Sequence, residues 1–287
     1  YDDKFIPSLS ALAQAAKSGG APAVLQIFHA GNKAIPELIP NGDVVSASHL
    51  NTPTAAFHNS PVQSRALSEA EISDVIRAFG ETTRRAIEAG FDGVELHGAH
   101  GFLIQNFFSP LYNQRQDDWG GSLAHRMRIP LAVVGEVKSV IRKHAKRPFI
   151  LGYRISVEEY EENGLRIADS LQLIDRLIAS NIDYLHVSLS DILSSAPRGV
   201  SDQRLTILTV LDQVQERVPV ISAGSVRTPE QASLALNLGL PLVAIGKGLV
   251  INPEWVELAQ TGQVENIASE LNPEWVTALD IPKQLWE

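Results

Sequence analysis

Six short apolar runs, at residues 23 to 28, 92 to 97, 148 to 154, 183 to 188, 218 to 223 and 241 to 245, each lead into a stretch whose apolar side chains recur at helical spacing. Strands separated by helices pair in parallel through crossover connections, so this order excludes the all-α and all-β classes. Runs such as Val24-Leu25 and Leu242-Val243-Ala244-Ile245 show no polar alternation. That pattern belongs to parallel strands covered on both faces by helices or by a barrel interior.

The helix ends carry their own signals. Ser68-Glu69-Ala70-Glu71 spells a capping box ahead of Ile72, Val75, Ile76, Phe79 and Ile87, and Gly90 stands at the stop. Thr228-Pro229-Glu230-Gln231 repeats the logic with Pro in the first turn. Asn252-Pro253-Glu254-Trp255 and Asn272-Pro273-Glu274-Trp275 read as two similarly capped helices, not as a structural repeat.

Six β/α units are two short of a closed eight-stranded barrel, and residues 5 to 17 read as a helix with no strand before it. The competing six-stranded doubly wound sheet expects a G-x-G-x-x-G loop after its first strand, and none follows residues 23 to 28. The fold read here is therefore α/β: a (β/α)8 TIM barrel lacking its first two strands, with residues 1 to 287 as a single domain. Because an open barrel leaves apolar strand edges bare, a longer chain than the one opening on Tyr1 is expected.

Composition narrows the function. The 24 Lys and Arg against 33 Asp and Glu give a net charge of -9, which repels nucleic acid and anionic membrane surfaces. No apolar run reaches the roughly 18 residues that span a bilayer, and Tyr1-Asp2-Asp3-Lys4 does not resemble a secretory signal, so a cytoplasmic protein is expected. The absence of cysteine excludes thiolate nucleophiles, disulfides, Cys-ligated zinc and iron–sulfur clusters within these residues. The long connection before the helix at 68, with Pro36, Pro40, Pro53 and Pro61, is expected to cap a substrate pocket, since loops after barrel strands build active sites.

The densest chemistry runs from Val94-Glu95-Leu96-His97-Gly98-Ala99-His100-Gly101-Phe102-Leu103 through Phe107-Phe108-Ser109-Pro110, Asn113, Arg115 and Asp117 to Gly120-Gly121-Ser122. Two histidines at the carboxyl end of a barrel strand suit donors to a substrate oxygen, metal ligands, or rings satisfied by nearby backbone. A metal generally needs three or four protein ligands, and the motif offers no third, so no metal is expected. Gln26 is an amide in an otherwise apolar strand, where an unpaired polar group costs about 1 to 3 kcal/mol. Arg154 ends another strand, and Ala223-Gly224-Ser225 and Gly246-Lys247-Gly248 follow the last two, where β/α barrels commonly bind phosphate through backbone amides.

In order, from Gln26 to about Pro253, these segments resemble the old yellow enzyme family of FMN-dependent reductases. The resemblance implies FMN as cofactor, NADH or NADPH as hydride donor, a small-molecule electron acceptor and a homo-oligomeric state. It implies that His97 and His100 hydrogen-bond an oxygen of the substrate, which stabilises charge developing there. It places Gln26 on the pyrimidine edge of the flavin, Arg154 near its N1 and O2, and Ala223, Gly224, Ser225, Gly246 and Lys247 around the phosphate. Where the family usually has arginine, Lys247 keeps the charge but lacks the bidentate fork.

One departure bears on the reaction. The family usually has tyrosine at the position of Phe102, as the acid that completes alkene reduction, and phenylalanine has no proton to give. General acid catalysis contributes roughly 10²- to 10⁴-fold, so alkene reduction is expected to be slow, whereas quinones and nitro compounds take protons from solvent. The alternatives are a flavin-binding barrel that has lost catalysis and a non-redox barrel enzyme acting on another phosphorylated ligand.

Overall fold

The computed structural model describes residues 2–39, 41–52, 61–200 and 204–282. It divides into two compact units, Tyr1–His186 and Val187–Glu287. In the first, α1 (Ile6–Ala16) leads into β1 (Val24–Ile27). The connection that follows holds a small sheet of β2 (Val45–Ser46), β3 (Leu50–Thr52) and β4 (Val62–Ala66), ordered β2-β4-β3. The sequence reads as plain loop here because these strands are short and interrupted by Ser46, Asn51, Gln63 and Arg65, and pairing alone makes them strands. Pro40 and Pro53 lie outside the described residues.

Next comes α2 (Glu69–Ala89), whose capping box is complete: Glu71 N–H donates to Ser68 Oγ at 3.3 Å and Ser68 N–H to the Glu71 carboxylate at 2.8 Å. Gly90, at φ 91°, takes the left-handed conformation that ends the helix. The order continues through β5 (Gly93–Gly98), α3 (Leu103–Phe108), α4 (Leu123–Arg126), α5 (Arg128–His144), β6 (Ile150–Ile155), α6 (Ile167–Ala179) and β7 (Tyr184–Ser188). Strands β1, β5 and β6 pair in parallel, with Gln26 opposite Glu95 and His97 opposite Arg154. Every residue of β5 is buried, and alternation sets Val94 and Leu96 on one face and Glu95 and His97 on the other. Helices α2 and α5 pack together through an apolar stripe that includes Phe79, Val133, Val137 and Val140. Burial of such a stripe, worth about 1.5–3 kcal/mol for each large side chain, holds the two helices to each other.

The second unit contains α7 (Thr206–Val214), β8 (Val220–Ala223), α8 (Pro229–Asn237), β9 (Leu242–Ala244), α9 (Lys247–Ile251) and α10 (Trp255–Gln260). β8 and β9 pair in parallel with Ala223 opposite Ala244, and Thr228 and Gln231 complete the second capping box. All six strands expected from the apolar runs are present, four of them trimmed and β5 and β6 each running one residue past the expected carboxyl end. The two Asn-Pro-Glu-Trp tetrapeptides, expected to cap alike, do different jobs. Asn272 caps a single 3-10 turn by accepting from Glu274 N–H at 3.0 Å. Asn252 instead ties the end of α9 to the segment at Ala268, accepting from Ala268 N–H at 2.8 Å and donating to the Gly248 carbonyl at 3.0 Å, and α10 begins at Trp255 without a side-chain cap. No helix among the described residues is long and apolar enough to cross a membrane.

Candidate active site

In the first unit the sequence-predicted residues Gln26, His97, His100, Phe102 and Arg154 stand at or just beyond the carboxyl ends of β1, β5 and β6. His97 is only 4% exposed, and its Nδ1 accepts the Ala99 N–H at 3.2 Å. A neutral ring so held carries its proton on Nε2. Burial, reinforced by His100 and Arg154 and opposed by Glu95, pushes His97 down to about 4. Near neutral pH it is therefore an imidazole that donates through Nε2–H.

His100 lies in the turn after β5 at φ 59°. A side chain in this left-handed region costs on the order of 1 kcal/mol, so the surroundings must hold it. The Ser156 hydroxyl accepts its N–H at 3.1 Å, and Lys33 Nζ donates to its carbonyl at 2.6 Å. The two imidazoles stand edge to face with centroids 5.0 Å apart. His100 as a residue is exposed, but its ring is partly withdrawn from solvent, and that desolvation, then Arg154, Lys33 and His186, push it down to about 4 as well. Phe102 packs edge-on against His97 at 4.8 Å and, tilted by 40°, against Phe28 at 4.9 Å. Phe28 is 55% exposed, so an apolar aromatic surface borders the histidine pair.

Two buried carboxylates back this arrangement, and the sequence reading assigned neither. Glu95 accepts from Gln26 Nε2 at 2.5 Å, Tyr184 Oη at 2.8 Å and His186 Nδ1 at 2.9 Å. Glu159 accepts from Gln105 Nε2 and Ser109 Oγ, each at 2.6 Å, and from Leu165 N–H at 2.8 Å. Gln105, its nitrogen thus engaged, turns its carbonyl to the Gly101 N–H at 2.9 Å, while Asn106 donates to the Gly101 carbonyl at 2.8 Å. The turn that sets His100 and Phe102 is fixed from beneath. The available signal was polar: Gln105 and Asn106 interrupt the apolar run Leu103-Ile104 and Phe107-Phe108.

Gln26 is exposed, not enclosed as its apolar strand implied, and it reaches inward only through the bond to Glu95. Arg154 is half-buried; burial lowers its pKa and Glu95 opposes that. Arg115 and Asn113 serve structure: Arg115 donates to the Ala47 and Leu67 carbonyls at 3.0 and 2.6 Å, and Asn113 to those of Phe107 and Trp119 at 2.7 Å each. Among the described residues, no group of three or more His, Asp or Glu side chains is placed to hold a metal ion.

In the second unit, the pairing of Ala223 with Ala244 brings the turns at 223–225 and 246–247 off the ends of adjacent strands. A side chain at Gly224 would be crowded by backbone, since a Cβ there would stand 3.0 Å from Ile192 N and Leu189 O. Ser225 takes φ 52° and donates its hydroxyl to the Ser190 carbonyl at 2.7 Å. Gly246 and Lys247 are exposed at the start of α9. Backbone amides and one cation in adjacent turns are groups that can hold a phosphate.

Comparison with known proteins places these features. The model of the NADH:flavin oxidoreductase / NADH oxidase family matches residues 1–266. The chain is 42% identical over 287 residues to the probable NADH-dependent flavin oxidoreductase YqiG of Bacillus subtilis, spanning all of this chain and 76% of that protein. It is 38% identical over 288 residues to the NADH:acrylate oxidoreductase of Vibrio harveyi, where it spans 99% of this chain and only 28% of that longer protein. The solved structure of morphinone reductase in complex with tetrahydroNAD superimposes with a TM-score of 0.76 at 25% identity, covering 96% of this chain and 74% of that one. The fold class is accordingly α/β, of the β/α-barrel type.

Proposed function

The chain belongs to the NADH:flavin oxidoreductase / NADH oxidase family of FMN-dependent oxidoreductases, and on that premise we propose that its preferred acceptors are small electrophiles needing no acid at carbon, quinones and nitro compounds first. FMN, when bound, supplies hydride relay between a reduced nicotinamide and the acceptor. The chain's own residues fit it: an exposed amide at Gln26 and a half-buried guanidinium at Arg154 suit the polar edge of a planar imide ring. The turns at 223–225 and 246–247 are assigned to its phosphate on the same reading.

His97 and His100 bind and orient the acceptor's oxygen. A neutral imidazole N–H donor gives up no proton while it stabilises developing negative charge, so the pair works without being consumed. Phe28 and Phe102 offer apolar surface beside that oxygen. The observation that carries the acceptor class is Phe102, packed at 4.8 Å on His97 where a phenol would deliver a proton to carbon. A second reading, an activated alkene, draws on the acrylate oxidoreductase among the relatives.

Turnover of the NADH-reduced protein on a quinone and on cyclohexenone separates the two: the quinone is expected to be faster, and faster enone reduction refutes the proposal. Phe102→Tyr is expected to raise enone turnover by up to roughly 10²- to 10⁴-fold. No change would mean that another acid serves. The phenol to test is Tyr112, whose Oη stands 3.7 Å from where a Cβ on Gly101 would be. Burial, then Glu159 and Glu161, raise it to about 12.

A further inference from the structure

Three donors converge on one carboxylate beneath the histidine pair. Glu95 is 6% exposed; its Oε1 accepts from Gln26, and its Oε2 accepts from Tyr184 and from His186. The ladder makes the convergence possible. Gln26 is the β1 residue opposite Glu95, so the two side chains share a face. The β6 residue opposite Glu95 is Gly152, and the Tyr184 ring lies where a Cβ on Gly152 would stand. Any larger residue at position 152 would push the phenol away from the carboxylate.

An ionised carboxylate only accepts hydrogen bonds, whereas a primary amide has one accepting and one donating end. Burial works against the charged form of Glu95, but the bonds from His186, Gln26 and Tyr184 together outweigh it and hold the carboxyl below its ordinary range. The end of Gln26 that meets Glu95 must then be the NH2 group, and the end left facing outward is the carbonyl.

We infer that Glu95 is a positioning residue which fixes the Gln26 amide with its carbonyl presented to the ligand, so that the site selects a ring edge carrying an N–H. The inference rests on the FMN reading, in which that N–H is the imide N3–H of the flavin ring. It adds a residue that does not itself touch the ligand and a chemical criterion for what Gln26 accepts. A purely structural Glu95 would stabilise the fold without setting any preference between ring edges.

The test is a titration of the full chain, freed of bound flavin, with FMN and with N3-methyl-FMN, read by flavin fluorescence. Wild type is expected to bind FMN about tenfold or more tightly than the N3-methyl analogue, the equivalent of one well-made hydrogen bond. Glu95→Gln can meet Gln26 with either end of its own amide, so the preference is expected to fall to about threefold or less, with the circular dichroism spectrum unchanged. Gln26→Ala is expected to lose the preference too, and Glu95→Gln is expected to add nothing in that background. Should Glu95→Gln fail to fold, Glu95→Asp, which keeps the charge but withdraws it by one methylene, is read in the same way. Retention of the wild-type preference in the folded Glu95 variant, or an undiminished effect in the Gln26→Ala background, overturns the inference and leaves the FMN reading standing. Failure of wild type to bind either flavin overturns the FMN reading and the inference with it.

Discussion

His97→Asn removes one titrating group from the buried face of β5, and the cost of keeping that group neutral can be worked out. An ordinary histidine titrates near 6.5 and His97 near 4, a difference of about 2.5 units. At about 1.36 kcal/mol per unit this is about 3 kcal/mol. The sign follows from which state takes the proton first. The folded pKa lies below the unfolded one, so on acidification the unfolded chain gains a proton at His97 near pH 6.5 while the folded chain resists until near pH 4. Stability from this site is constant above about pH 6.5, falls by about 1.4 kcal/mol per unit down to about pH 4, and then levels. At 4% exposure His97 needs little discount for solvent screening, whereas His100 is an exposed residue and is left out of the sum. Urea unfolding followed by far-ultraviolet circular dichroism, at steps from pH 7 to pH 4, should show wild type losing about 3 kcal/mol more than His97→Asn. Equal losses in the two proteins, within about 0.5 kcal/mol, would refute the assignment of His97 as a neutral donor and with it the oxygen-binding chemistry built on that state.

Three further outcomes are expected. Glu159→Ala strands the donors of Gln105, Ser109 and Leu165 and should cost about 2–4 kcal/mol, lowering Tm by several degrees; a shift under about 1 °C would show that water replaces the carboxylate. Ser68→Ala breaks the capping box of α2 and should cost about 1 kcal/mol by urea unfolding, and an unchanged midpoint would mean that the Arg65 and Glu71 pairing holds the helix start unaided. Lys247→Ala should weaken FMN binding on the order of tenfold and Lys247→Arg should tighten it, the fork meeting two phosphate oxygens; equal Kd values in all three proteins would remove Lys247 from the phosphate site.

The sequence by itself determined the β/α order, the two capping boxes and the motif that brings His97, His100 and Phe102 together, because each of these is local. A strand needs its apolar run, a helix needs its cap within four residues, and the histidine pair needs only one strand end and one turn. Phe102 is local in the same sense: the missing hydroxyl is visible in one letter, and the structure adds only the rings it packs against.

Tertiary structure alone decided which partners these residues have. The link between Gln26 and Glu95 spans 69 positions, that between Tyr184 and Glu95 spans 89, and Glu159 reaches Gln105 across 54. None of these spacings has a period that a sequence can show, since they depend on the register in which parallel strands pair and on which loop lies over which. The small sheet β2-β4-β3 escaped for the same reason, its strands being held by one another and not by a pattern of their own. A buried carboxylate is an improbable residue until its donors are counted, and the donors of Glu95 and Glu159 come from segments that meet only in the folded chain.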